Sequence, residues 1–257
     1  MMIRFMTVTA LAVVLMQGIA VAEDKTTDNK ADQTAANELV DKVIKAHGGK
    51  ALAKVVAFEV KMTGTAFGGD KKVAVSSEGT CQGYDKQMTV DVNPETKTEM
   101  IEVINGDEGW TKDGDKPAEK LDEEQVKSRR EGIYMNWITT VFPFKEKEFK
   151  FSPLEETSVV GHKAVGLLVR HEKHNPVKMY FDSESYLLVK TEQTLKNADT
   201  NQDVVEETVY SDYKTARGIK QPYKMVNYAD GTKIADLEVT ELKIYDKAVD
   251  ERLFSKP

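Results

Sequence analysis

The stretch that decides the fold is YFDSESYLLVKTEQTL, residues 180–195. An aromatic–apolar strand end runs into Asp-Ser-Glu-Ser, short polar residues that bond to nearby backbone and favour turns. An alternating segment then leads back out. Leu187, Val189 and Leu195 fall on one face of it, with Thr191 and Gln193 between them, while Lys190, Glu192 and Thr194 share the other. Successive strand side chains point to opposite faces, so the segment is a hairpin with its charged face in water. The apolar face must cover something, and Leu187, Val189 and Leu195 are expected to point into a concave interior.

The same period of two extends outward in both directions. Phe58, Val60 and Met62 alternate with Glu59, Lys61 and Thr63; Met88, Val90 and Val92 alternate with Thr89 and Asp91. Further strands are predicted over 72–80, 98–105, 108–112, 158–171, 177–182, 203–214, 218–229 and 232–245. ADGT, residues 229–232, places Asp-Gly between two of them, a hairpin signal. In the last strand Leu237 and Val239 are in one phase, and Leu242 and Ile244 in the other. A bulge near Thr240–Glu241 would reconcile them and bend the sheet. About eleven strands with almost no helix between them make a mainly β (α+β) chain: one antiparallel sheet, long enough to curl on itself.

Two segments carry the helical period instead. Leu39, Val43, Ile44 and Ala46 share a face over 37–47, and Gly48-Gly49 supplies a stop, with a further turn to 54. LDEEQVKSRREGIYMNWITTVFPF interrupts the strands with Val126, Ile133, Tyr134, Trp137, Ile138, Val141 and Phe142 at helical spacing. Asp122 is its N-cap, acids fill its first turn and Pro143 closes it. So broad an apolar stripe must lie against something.

The chain has 257 residues, 40% of them hydrophobic and 31% charged, with a net charge of −7. The first residues, MMIRFMTVTALAVVLMQGIAVAEDK, read as a signal peptide over 1–22, with Ala20 and Ala22 at the cleavage positions. Its removal takes away only Arg4, leaving −7 − 1 = −8. An acidic chain whose longest basic run is KSRR is poorly suited to nucleic acid. The expected location is the periplasm, and 23–36 reads as a flexible linker ahead of a single domain over 37–257. Cys81 is the only cysteine, so no internal disulfide supports the fold, and it reads as a strand residue. HEKH, residues 171–174, spaces its histidines i and i+3 where a helical zinc motif needs i and i+4, and reads as a surface turn. No nucleophile elbow, phosphate loop or cysteine pair is present. No catalytic role, metal or cofactor is therefore expected. In NGDEGW, residues 105–110, Trp110 either plugs one end of the core or stands at the mouth of a pocket.

One amphipathic helix, a run of antiparallel strands, an inserted apolar helix and more strands resemble the LolA/LolB-type carriers of outer-membrane lipoproteins. MYFDSESYLLVKTE is similar to that superfamily's strand–turn–strand hairpin, VYSDYKTARGIKQPYKMV to a strand pair flanked by Gly and Pro, and DERLFSKP to its closing segment. The resemblance implies an incomplete β-barrel whose apolar trough is covered by helices. It also implies a lipid or acylated protein as cargo, a membrane-bound partner protein and a monomeric carrier. Burying an acyl chain is worth ~0.8 kcal/mol per CH₂, so a chain of ~14–16 carbons gains roughly 11–13 kcal/mol and needs an enclosed trough. Ile133, Trp137 and Ile138 would then face the trough from the inserted helix, with Phe58, Val60, Met62, Met88, Val90, Leu167 and Val189 as its floor and Trp110 at its mouth. Trp137→Ala should on this reading weaken binding more than folding. In such carriers an arginine on an early strand holds the lid closed. This chain has no arginine between Arg4 and Arg129, so either Lys61 or another residue takes that part or the lid does not open in that way. The alternatives are a protein-interaction or sensor module on the same fold, and a structural domain that fills its trough with its own side chains.

Overall fold

Alternation turns most of this chain into strand, and every strand joins one sheet. The computed structural model describes residues 30–69, 71–196 and 202–257; the predicted signal peptide lies outside them. Among the described residues no helix is long and apolar enough to cross a membrane.

Helix α1, Lys30–His47, begins earlier than the sequence suggests and takes up the second half of the predicted linker. Ala, Gln and Asp in that stretch tolerate helix, and Ala36 continues the buried stripe of Val40 and Val43 one turn further. Gly48 ends the helix at φ 145, where a side chain would also lie 2.9 Å from the Gly218 carbonyl oxygen. His47 fixes this end: its Nδ1 bonds the Val43 carbonyl at 2.9 Å, and its Nε2 accepts the Leu188 amide at 3.3 Å. Burial lowers its pKa to about 4, so the ring is neutral. A 3₁₀ turn over Gly49–Lys54 then buries Leu52.

Five strands follow: β1 Ala57–Gly68, β2 Lys71–Gln82, β3 Lys86–Val92, β4 Glu99–Asn105 and β5 Glu108–Asp113. The two-residue β6, Glu119–Lys120, leads into helix α2, Glu123–Thr139. After it come β7 Phe149–Val159, β8 His162–His171, β9 His174–Asp182 and β10 Leu188–Lys196. The sheet ends with β11 Asp203–Ala216, β12 Ile219–Ala229 and β13 Thr232–Tyr245. The spatial order is β6-β5-β4-β3-β2-β1-β13-β12-β11-β10-β9-β8-β7, with neighbours antiparallel and β6 and β7 as edges. It is a thirteen-stranded sheet that is not closed into a barrel.

Strand β7 is the main addition to the expected set. Pro153 in its middle argues against a strand, but β7 lies at an edge, where a missing N–H breaks no ladder. The strand predicted over 158–171 is two strands, split by Val160-Gly161 at φ 49 and 83. The expected bulge in β13 is present. Lys61 pairs with Glu241 and Met62 with Val239, which leaves Thr240 extra and puts Leu237, Val239, Leu242 and Ile244 on one face.

A second bulge corrects the opening hairpin. Leu188 pairs with Phe181 and Lys190 with Tyr180, so Val189 is the extra residue. Leu188, fully buried, joins Thr191 and Leu195 on the inner face, while Leu187 and Val189 are only half-buried. Beneath α1 the inner faces of β7–β10 form a dry core, in which Leu167, Val169, Val177, Met179 and Phe181 are fully buried.

Candidate ligand trough

Helix α2 roofs the other half of the sheet. Its start is fixed by Asp122, which accepts from the Gln125 amide while the Gln125 side chain bonds back to the Asp122 amide. Gly109 of β5 lets α2 approach: a Cβ there would lie 3.2 Å from Val126 Cγ2 and 2.7 Å from Ile104 Cδ1. The helix stops at Thr139. Val141 then takes φ 57, a strained conformation for a β-branched residue, and a 3₁₀ turn over Phe142–Lys145 follows.

Polar bonds tie this helix to the strands on both sides. Arg129 Nε donates to Glu102 Oε2 of β4 at 2.9 Å, with both side chains nearly buried. Arg130 meets Asp107 at 2.6 Å and Asn136 Nδ2 donates to Gln87 Oε1 at 3.3 Å. Glu131 bonds His174 Nδ1 at 2.9 Å. Lys61 takes no part: it lies on the outer face, 2.9 Å from Glu78. The tie between roof and sheet thus has its arginine on the helix and its carboxylate on the strand.

The histidines of HEKH are not a surface turn. Only Glu172 and Lys173 are exposed; His171 and His174 are buried beneath α2. The His174 ring stacks on Tyr134 at 3.9 Å. Strand character runs through both histidines, and their pairing across the tight turn places them together on the inner face. Burial, and then His174, lower the His171 pKa.

Between α2 and the centre of the sheet lies a cavity of about 140 Å³. Phe58, Val60 and Met62 of β1 and Val239, Leu242 and Ile244 of β13 make its apolar wall; Asn136, Thr139 and Phe142 roof it. Trp137 closes one end, stacked on Phe58 at 5.8 Å and edge-on to Phe142 at 5.5 Å. Away from that end a second space of about 100 Å³ continues along β10–β12, sharing Met62, Asn136, Thr139, Tyr210 and Met225 as walls. Cross-strand partners step from Tyr210–Met225–Leu237–Gly64 to Thr208–Asn227–Ala235–Ala66, carrying the trough away from Phe58 toward Glu206. Burial, opposed by a Gln193 hydrogen bond, raises the Glu206 pKa to about 7.

Of the residues predicted from sequence, Phe58, Val60 and Met62 line this space. Ile133 and Trp137 pack with Phe58, Cys81 and Ile104 at its closed end. Ile138 and Leu167 are fully buried in the neighbouring dry core. Met88 and Val90 lie on the outer face, because Gln87 and Thr89 supply the inner one. That outer face is partly covered from within the chain. The closing 3₁₀ turn Glu251–Phe254 packs against β3 and β4, burying Phe254, whose carbonyl accepts from Asn105 at 3.3 Å. Trp110 pairs with Val103, which pairs with Met88, so it is on the outer face and not at the mouth. Val189 is the bulge residue. Alternation within β13 could have found Val239, Leu242 and Ile244. Nothing in the sequence distinguished the polar wall of Ser77, Gln87 and Thr89 from an ordinary wet face.

Cys81 also lines the cavity; its thiol donates to the Gly83 carbonyl at 3.4 Å, and burial pushes its pKa far up, against a nucleophilic role. Among the described residues no three metal-ligating side chains converge.

A curled antiparallel sheet with a helix-roofed trough is the class this architecture defines. No family model matches the sequence and no curated protein matches it. Solved structures do. A LolA superfamily protein from Nitrosomonas europaea is similar at TM-score 0.56 and 9% identity, over 86% of this chain and 97% of that one. A DUF1329 family protein from Desulfovibrio piger is similar at 0.56 and 10%, again over 86% and 97%. An outer membrane lipoprotein-sorting protein domain from Vibrio parahaemolyticus, described as putative, matches at 0.51 and 10% with the same coverage. The chain has a LolA-like fold.

Proposed function

We propose that this protein is an exported, non-catalytic binder that carries an acyl chain, as a lipid or an acylated protein, through the periplasm. The observation that carries the reading is the trough itself: an apolar wall from β1 and β13, closed by Phe58 and Trp137 and continuing between strands and roof toward Glu206. Ordinary structural domains fill such apolar space with side chains, as this one does around Leu167, Met179 and Phe181.

The volume sets a condition. About 140 Å³ is below the roughly 300–1,000 Å³ of ligand pockets, so a full acyl chain needs α2 to move outward. The roof is suited to that. Its exposed tie, Arg130–Asp107, can be exchanged for bonds to water at a net cost of about 1 kcal/mol, whereas the nearly buried Arg129–Glu102 pair costs about 2 kcal/mol to part. The signal peptide expected over 1–22 and the lipoprotein-sorting domain among similar structures support a periplasmic location.

The test is uptake of a neutral fluorescent acyl ester by the purified protein and by Met62→Trp, which fills the trough. The wild type should take up the probe, and the variant should bind it about tenfold more weakly or worse with its unfolding transition kept. Equal uptake by both proteins, or none by the wild type, would overturn the proposal.

A further inference from the structure

The polar groups of the trough are not evenly signed. At the end remote from Phe58, Glu206 lies on the inner wall with Gln193, Thr208 and Asn227 around it. The other ionisable groups there are Glu207, which is paired with Lys190, and Tyr210 and Tyr228. Among the described residues no lysine or arginine pairs with Glu206. Across the sheet, Asp91 shares the inner face of β3 with Gln87 and Thr89 and pairs with Ser77, itself a wall of the cavity. One Asp91 carboxyl oxygen is buried without a hydrogen-bond partner. Glu102, next on that face, is matched by Arg129. The trough therefore has an apolar floor and a carboxyl group, Glu206, with no cation partner among the described residues; Asp91, on the same inner face beside the wall residue Ser77, is a second carboxyl group of that kind.

Resting on the acyl-binding reading above, we infer that the trough takes amphiphiles whose polar end is cationic, an ammonium group above all, with the hydrocarbon toward Phe58 and Trp137 and the head at Glu206. An anionic head would stand in a confined site beside carboxylates, where like charges repel far more strongly than in bulk water. An ammonium group supplies the missing counter-charge and donates the hydrogen bonds those oxygens can accept. Burial holds Glu206 at about 7 and Asp91 at about 6, so both give up a proton readily once a cation arrives.

The experiment is competition at pH 8 by decylamine, decanol and decanoate, one chain length with three heads, against the neutral fluorescent acyl ester. The wild type should bind decylamine about tenfold more tightly than decanol, with decanoate weakest. In Glu206→Gln the amine should fall to within about threefold of decanol while decanol is unchanged. Asp91→Asn, read in the same way, should narrow the gap less and guards against one variant misfolding. Equal binding of the three heads, a preference for decanoate, or an amine preference that survives both substitutions would overturn the charge assignment while leaving the acyl-carrier reading intact. A wild type that takes up neither the ester nor any competitor would overturn both.

Discussion

Helix α2 reaches both halves of the sheet while α1 lies over one, and the two halves are covered in different ways. Over the inner faces of β7–β10, Leu167, Val169, Val177, Met179, Phe181 and Leu188 pack with Val40 and Val43 of α1 and Tyr134 and Ile138 of α2, and the space that remains beside α1 is a polar groove at the β7 edge, lined by Asp41, Lys145, Lys150 and Arg170. Under α2 the inner faces of β2–β4 carry Ser77, Gln87, Thr89, Asp91 and Glu102, and the helix is held in part by ion pairs and amide bonds. Dispersion and burial reward close packing wherever it is found, whereas polar bonds hold one geometry and can be re-formed in another. Uptake of an acyl chain, as proposed, needs the first half to stay and the second to open.

Trp137 belongs to both halves of that contrast and should give the largest effect. It is a predicted roof residue, yet it is almost fully buried against Phe58 and Phe142. Trp137→Ala should cost about 3–5 kcal/mol of unfolding free energy, read by denaturant titration, where the sequence leads to the expectation that binding would weaken more than folding. A variant that keeps its stability would make the ring a movable part of the lid. Leu167→Ala, in the filled half, should cost about 3 kcal/mol and leave uptake of the acyl ester unchanged; altered uptake would erase the distinction between the halves. Arg129→Ala leaves Glu102 nearly buried without its partner and should cost about 2 kcal/mol. It should also speed uptake if the pair holds the roof down, which stopped-flow fluorescence would read.

The smallest effect has the opposite sign. Between the ordinary carboxylate range and about 7, native Glu206 holds a proton that the unfolded chain has released, so its contribution to stability falls as pH rises through that window. Glu206→Gln should therefore stabilise the protein by about 1–2 kcal/mol at pH 8, less than the full linkage value because the site is part-open to water. At pH 4 it should change little. A variant destabilised at pH 8 would mean that Glu206 is compensated in the native state. Carboxyl groups that cost stability fit a binding site, where local optimality gives way to function.

Much of this architecture was legible because period and phase are local. The Thr240 bulge could be read from two pairs of apolar residues in opposite phase, and Asp122 from the acids after it. Other features depended on placement that no local pattern reports. Pro153 hid β7 because its tolerance comes from being at an edge. Leu188 could not be preferred to Leu187 and Val189 without the bulge in β10. Met88 and Val90 looked like floor because apolar strand faces usually turn inward; here the C-terminal Phe254 packs on the outer side of their strands, and Thr89 and Asp91 turn inward. The buried histidines of HEKH were hidden by the exposed Glu172 and Lys173 between them.

Native mass spectrometry of the protein purified from its native cells, followed by lipid extraction, tests the central claim most directly. The trough beneath α2 predicts a co-purifying adduct of acyl-chain-bearing mass, absent from Met62→Trp. A clean mass for the wild type, with no uptake of the acyl ester afterwards, would contradict it and leave the fold to serve a protein partner instead.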